Sequence, residues 1–236
     1  MTTPAEQAPR RGLFITIEGP EGSGKSTQAR RLYDALRGEL PLVLSREPGG
    51  TPIGEAIRAI LLDERYAGMT PDAEMLLFAA SRAQYVREVV RPSLEAGRCV
   101  LSERFVDASI AYQGDGRGVP VDVVRRVNDV ATGGLVPDLT CLVDVDPALG
   151  LARARNTAGK EGRPGRGDRL EQEDVAFHNR VRAGFLQLAR EQPRRFAVVD
   201  GSRPADEVHA ALVDAVRRLL QARGWIAGST PLDGRG

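Results

Sequence analysis

The stretch Leu13-Phe14-Ile15-Thr16-Ile17, followed one residue later by Gly19-Pro20-Glu21-Gly22-Ser23-Gly24-Lys25-Ser26-Thr27, decides the fold. An apolar strand feeding a G-x-x-x-x-G-K-[ST] turn that opens a helix is the setting in which a phosphate cradle works. The glycines let backbone N–H groups turn inward on a polyanion, and the helix N-terminus adds its partial positive charge. Lys25 is placed to reach the β- and γ-phosphates, and the Ser26 hydroxyl to reach Mg²⁺. The whole segment from Gly19 through Pro20, Glu21, Gly22, Ser23, Gly24, Lys25 and Ser26 to Thr27 is therefore expected to hold a nucleoside triphosphate with Mg²⁺.

Outward from the cradle, apolar runs alternate with longer helical patterns. Strands are expected at 12–18, 41–46, 98–103, 139–144 and 195–199, and helices at 25–38, 71–96, 120–132, 146–157, 171–192 and 204–222. This alternation predicts parallel crossovers and a sheet covered on both faces, an α/β fold. Such sheets bind ligands outside the carboxyl ends of their strands, so the segments that follow each strand are the ones to inspect.

Arg46-Glu47-Pro48-Gly49-Gly50-Thr51 follows the second strand and bends the backbone sharply. Ser102-Glu103-Arg104-Phe105 follows the third and places a carboxylate for Mg²⁺ beside a guanidinium for phosphate. Between them, Phe78 and Arg82 share a helix face, an aromatic plane beside a hydrogen-bonding fork. Spacing alone favours a core aromatic with a snorkelling arginine. Ser109, Tyr112 and Gln113 recur at helical spacing and line one side of a pocket. After the fourth strand, Asp146-Pro147 reads as a helix cap, and the helix leads into a polar, basic segment with Arg153, Arg155, Lys160, Arg163, Arg166 and Arg169. Phosphoryl transfer needs cations around the equatorial oxygens and exclusion of water, which a basic lid supplies.

The remaining composition sets bounds. With 236 residues and a formal net charge of +1, the chain suits one domain and carries no overall field favouring nucleic acid or an anionic membrane. Cys99 and Cys141 sit in apolar runs without metal or disulfide spacing, as small core residues in a reducing compartment. No apolar leader or membrane-length segment is read in the chain, so a cytoplasmic location and no membrane partner are expected.

Taken together, the cradle with its acidic Glu21, Arg-Glu-Pro-Gly-Gly-Thr, Phe-Ala-Ala-Ser-Arg and Ala-Tyr-Gln-Gly resemble the thymidylate kinase family from about Leu13 to Leu220. The resemblance implies a P-loop NTPase three-layer sandwich whose parallel sheet orders the five runs above 2-3-1-4-5, a homodimer, and phosphorylation of dTMP to dTDP by ATP–Mg. It divides the chain into an N-terminal tail at 1–11, the kinase domain at 12–223 with a lid at about 153–170, and a C-terminal tail at 224–236. It places Phe78 on the thymine ring, Arg82 on the carbonyl edge, and Ser109 and Gln113 on the other polar atoms. It sets Tyr112 against the sugar, and Arg58, Arg104 and Glu47 at the monophosphate. Arg153 lies against adenine, with the Gly201-Ser202-Arg203-Pro204 turn opposite. Lys25, Glu21, Arg104, Arg166 and Arg169 are the expected catalytic groups, the last two as lid arginines, and Ser26 with Glu103 the metal pair. One departure is visible: Glu103 stands where the family usually has an aspartate. Two alternatives stay open, a kinase for another nucleotide or nucleoside and a non-catalytic P-loop module that switches a partner interaction.

Overall fold

Phe14–Glu18 is the central strand, β1, of a five-stranded sheet in a computed structural model that describes residues 10–160 and 169–226. Helix α1 (Lys25–Leu36) leaves the cradle and returns to β2 (Leu42–Arg46). Then follow α2 (Pro52–Leu62), a short 3₁₀ turn, α3 (Pro71–Tyr85), a π-helical turn (Val86–Val90) and α4 (Arg91–Glu95). β3 (Cys99–Glu103) leads to α5 (Val106–Ser109), a second π-helical segment (Ile110–Gly116) and α6 (Val121–Thr132). β4 (Leu139–Asp144), α7 (Pro147–Lys160), α8 (Val175–Glu191), β5 (Phe196–Asp200) and α9 (Ala205–Ala222) complete the order.

All strand pairs are parallel and the order is β2-β3-β1-β4-β5, as expected. The period-2 alternation of strands sorts their side chains onto two buried faces. Ile15, Ile17, Leu101, Cys141 and Val143 point to one, where Leu32 and Leu36 of α1 and Leu212 and Val216 of α9 cover them. Phe14, Val100 and Leu142 point to the other, against Tyr85, Phe105 and Phe185. Cys99 and Cys141 are fully buried, and burial pushes the Cys141 thiol up to about 12, which makes it inert packing.

Two helical expectations are refined. The run 71–96 does not continue as one α-helix. Pro92 has no N–H to donate, and the π turn before it shifts the ladder, with Arg91 N–H bonding Val86 O. Helix α2 was not foreseen, although Thr51-Pro52 carries its signal: the Thr51 hydroxyl caps Gly54 N–H at 3.0 Å and Pro52 opens the first turn. At the chain's ends, Arg10 and Arg11 of the expected tail are anchored. Arg10 lies over the Trp225 ring and bonds Gly224 O, and Arg11 pairs with Asp138.

Candidate active site

The cradle is shaped by backbone that only glycine fits. Gly22 and Gly24 have φ of 64° and 89°, and a Cβ on Gly22 would stand 1.8 Å from Gly150 O at the start of α7. Gly24 is the N-cap of α1, so the first-turn N–H groups stay available to an anion. Lys25 is buried beneath the loop, its Nζ donating to Pro20 O at 2.7 Å. Burial first, then the neighbouring Arg104, brings Lys25 down to about 8 against the pull of Glu21, Glu103 and Glu18. Ser26 Oγ donates to Glu103 Oε1 at 2.7 Å, so the two residues expected at a metal meet directly. The extra methylene of Glu103 carries its carboxylate as far as the hydroxyl. Among the described residues no cluster of three or more His, Cys, Asp or Glu forms a metal cage of its own. A hydroxyl with a carboxylate is a hard-oxygen pair that fits Mg²⁺ shared with phosphates.

Arg104 directly follows β3 and is the one non-glycine residue with positive φ, 67°, among those described. Its turn is braced on three sides. Arg104 N–H bonds Ile17 O at 3.0 Å, Phe105 N–H bonds the Glu18 carboxyl at 2.7 Å, and Ser102 Oγ donates to Arg104 O at 3.0 Å. The guanidinium so presented pairs with Glu21 and stacks 4.9 Å from the centre of the Tyr112 ring. Tyr112 Oη donates to Glu21 Oε1 at 2.8 Å. Burial alone would raise the Glu21 carboxyl, but Arg104, then Lys25 and the Tyr112 hydroxyl, outweigh it and hold it at about 2. Glu18, fully buried, moves the other way, pushed up to about 8 by burial and then by Asp107.

From the cradle a single cleft of about 980 Å³ continues past Arg104 to the wall built by β2, α2, α3 and the second π segment. Glu47, Arg58, Phe78, Arg82, Arg104, Ser109, Tyr112 and Gln113 all line it, which are all the residues expected for an acceptor. Arg58, Arg46 and Arg104 make a three-guanidinium corner suited to a dianion, in which burial first, then the charges of Arg46 and Arg104, lower the basicity of Arg58. Arg46 had been read only as a turn neighbour; it pairs with Glu55 at 2.8 Å. Arg82 is buried and bonds on every side: Glu47 at 2.6 Å, Ser109 Oγ at 2.9 Å, Phe105 O at 3.2 Å, and Asn128. Three of its five N–H groups are thereby hydrogen-bonded, Nε faces Glu47 as an ion pair without hydrogen-bond geometry, and one Nη2–H has no protein partner. Burial pushes Glu47 up to about 7 against the opposing charge of Arg82. Phe78 is both core and wall, packed on Leu61 and Leu170 while lining the cleft.

At the other end Arg153 lines the cleft and donates to Gly201 O at 2.7 Å, joining α7 to the turn after β5 where an adenine side was expected. The lid arginines divide. Arg166 lies outside the described residues. Arg169 is not brought to the phosphate cradle and does not line the cleft. It is buried, with Nε on Leu61 O at 2.9 Å and Nη2 on Glu74 at 2.6 Å. The sequence reading missed Glu74, Arg117 and Asn128, which hold the wall from behind. Glu74 shares helical spacing with Phe78 and Arg82, whereas Arg117 and Asn128 lie on other elements and carry no such signal.

A phosphate cradle and an arginine-lined acceptor wall in one cleft at the carboxyl ends of a P-loop sheet define a nucleoside monophosphate kinase. The family model for thymidylate kinase matches residues 17–212. The chain is 52% identical to a thymidylate kinase of Deinococcus radiodurans over 87% of this chain and 96% of that one. It is 49% identical to one from Halothermothrix orenii over 89% and 99%. A crystal structure of thymidylate kinase from Ehrlichia chaffeensis superimposes with a TM-score of 0.71 at 30% identity, covering 88% of this chain and 99% of the other. The chain belongs to the thymidylate kinase family.

Proposed function

We propose that this chain transfers the γ-phosphoryl group of ATP to the 5′-phosphate of dTMP, giving ADP and dTDP. The observation that carries this reading is the continuity of the cleft, from the glycine cradle through the guanidinium corner to Phe78, Arg82 and Gln113. The cradle N–H groups and Lys25 hold the donor phosphates, and Arg153 with the Gly201-Ser202 turn borders the base end of the donor site. Arg58, Arg46 and Arg104 hold the acceptor phosphate, which is largely ionised near neutral pH and attacks without a general base. Phe78 stacks on the thymine and Tyr112 crowds the sugar. Two anions that repel each other in water are thereby held in line, so catalysis is mainly positioning and charge neutralisation. Ser26 and Glu103 would hold Mg²⁺, which would supply charge neutralisation on the donor phosphates. Glu21 parks Arg104 until the acceptor phosphate takes its place. Arg166 remains the candidate lid group on the transferring phosphoryl, and Arg169 anchors the lid's return.

The second copy expected of a homodimer has a surface to bind. Ile53 on α2, Leu76 on α3 and Val130 on α6 are 54%, 54% and 87% exposed, on helices that pack together. A reducing cytoplasm suits the two buried thiols, and no described helix is long and apolar enough to cross a membrane.

The test is ADP formation from ATP and Mg²⁺ with dTMP, dUMP, dGMP, dCMP, AMP and thymidine supplied separately. Turnover should require a monophosphate and favour dTMP. Equal ADP release without any acceptor would instead identify a P-loop switch. Leu76→Glu should halve the mass seen in sedimentation, and an unchanged mass would remove the helical face as the dimer contact.

A further inference from the structure

Glu74 lies on α3, one turn before Phe78 and two before Arg82, yet it does not line the cleft and the reaction makes no use of it. It is fully buried and saturated. Gln113 Nε2 donates to Oε1 at 2.8 Å, and Arg117 approaches both oxygens, Nε at 3.3 Å and Nη2 at 3.1 Å. Arg169 Nη2 sits 2.6 Å from Oε2. Arg117 is itself tied to Glu173 at 2.6 Å, at the mouth of α8. We propose that Glu74 is the positioning residue for base selection, because it fixes which end of the Gln113 amide faces the acceptor base. The inference rests on the dTMP reading above and deepens it.

A carboxylate held between two guanidinium groups is an acceptor only. The atom of Gln113 that meets it must therefore be the NH₂, so chemistry alone assigns the amide orientation. The carbonyl Oε1 is left for the cleft, and no described residue donates to it. Arg82 keeps one Nη2–H free of protein partners. The wall thus offers one donor and one acceptor. A keto pyrimidine presents a carbonyl oxygen beside a ring N–H and satisfies both. Cytosine presents an amino group beside an unprotonated ring nitrogen and satisfies neither, leaving buried polar groups unpaired. The two arginines are what allow the carboxylate to be buried at all. Arg169 accordingly serves the acceptor wall as a counterion, which explains its place away from the phosphates.

The test is Glu74→Gln, read by the ratio of kcat/KM for dTMP to that for dCMP. The new amide turns its oxygen to the arginines and its NH₂ to Gln113, which must rotate and present its own NH₂ to the base. The ratio should fall at least about a hundredfold, since a misdirected hydrogen-bonding site loses discrimination on that scale, while the KM for ATP stays within about twofold. A folded variant, checked by its thermal transition, with the parent ratio would overturn the proposal. Should the variant fail to fold, the parent enzyme itself answers. With ¹⁵N-labelled glutamine side chains, and the Gln113 signal assigned by its loss in Gln113→Leu, its NH₂ protons should exchange slowly without ligand. They should also barely shift when dTMP saturates the site. Fast exchange in the free enzyme, or a large shift on binding, would show that the amide is not held by Glu74. A parent enzyme that does not phosphorylate dTMP counts against the functional reading, whatever the amide does.

Discussion

The two halves of the cleft are built by different means. The donor cradle is nine contiguous residues, Gly19 to Thr27, whose shape is set by backbone geometry and by close approach to Gly150. The acceptor wall is assembled from residues up to about a hundred positions apart, each arginine aimed by a carboxylate or carbonyl on another element. A cradle of this kind tolerates little change but depends on few partners. A wall of this kind depends on its ion pairs, and truncating one partner leaves the other buried and uncompensated.

The difference is sharpest at Lys25. Lys25→Met keeps the length of the side chain and removes its charge from the phosphates. Removing one preorganised transition-state donor costs about 10²–10³ in kcat, and dTMP binding measured without ATP should be unchanged. A comparable loss of dTMP affinity would show that the two halves are not separable. Next in size is Gly22→Ala. Its Cβ would meet Gly150 O at 1.8 Å at a φ of 64°, so the loop must leave its place. Backbone strain of this kind costs about 1–3 kcal/mol before any clash is counted. ATP affinity should fall roughly tenfold or more on that scale, with Tm lowered. Phe78→Ala belongs to the other half. Stacking is worth about 1–3 kcal/mol per base, so the KM for dTMP should rise roughly ten- to hundredfold and that for ATP hardly at all. Equal rises would make Phe78 a core residue only.

The same contrast explains what the sequence disclosed. The strands and the cradle follow from local patterns, an apolar run, a glycine turn and a capped helix, whereas the sheet order is implied only by the family resemblance. Ser26 is expected at the metal from its motif alone, and the structure brings its hydroxyl against the Glu103 carboxylate. The acceptor residues were legible only through family resemblance, because the helical spacing of Phe78 and Arg82 by itself reads as core. Glu74, Asn128 and Arg117 stayed hidden because their partners are far away in sequence. A buried carboxylate on a helix looks like a surface one until the arginine that neutralises it, 43 positions on for Arg117, is folded against it. Arg169 shows the reverse case: a cation in a basic stretch reads as a phosphate ligand, and the structure places it against a buried carboxylate, Glu74.

A buried carboxylate also gives the wall a pH signature just below neutrality, whereas Lys25, brought down to about 8, gives the cradle one above it. Burial raises Glu47 from 4.5 to about 7. A carboxyl whose folded value is raised binds its proton more tightly in the native state. Its contribution to stability is therefore complete below pH 4.5 and is lost as pH rises through about 7. Glu47→Gln removes that dependence. Between pH 5 and 7 the parent should lose stability relative to the variant by up to about 1.4 kcal/mol per pH unit, measured by urea unfolding. Parallel profiles would mean that Arg82 keeps Glu47 ionised throughout.

The smallest effect is expected where the halves touch. Glu21 belongs to the cradle, but its carboxylate holds Arg104, which belongs to the wall. Glu21 stays ionised down to about pH 2, so it competes for Arg104 at every working pH. Glu21→Gln keeps the side chain's shape and an oxygen to accept from Tyr112, and removes only the charge. The acceptor phosphate then no longer displaces a carboxylate to reach the guanidinium. Partly exposed pairs are worth about 0.2–1 kcal/mol, so dTMP should bind about two- to fivefold more tightly in the absence of ATP. Weaker binding would show that Glu21 aims Arg104 rather than restrains it, making the left-handed turn at Arg104 insufficient on its own. Unchanged kcat at saturating substrates would confine Glu21 to this parking role and leave the chemical step to Lys25 and the arginines.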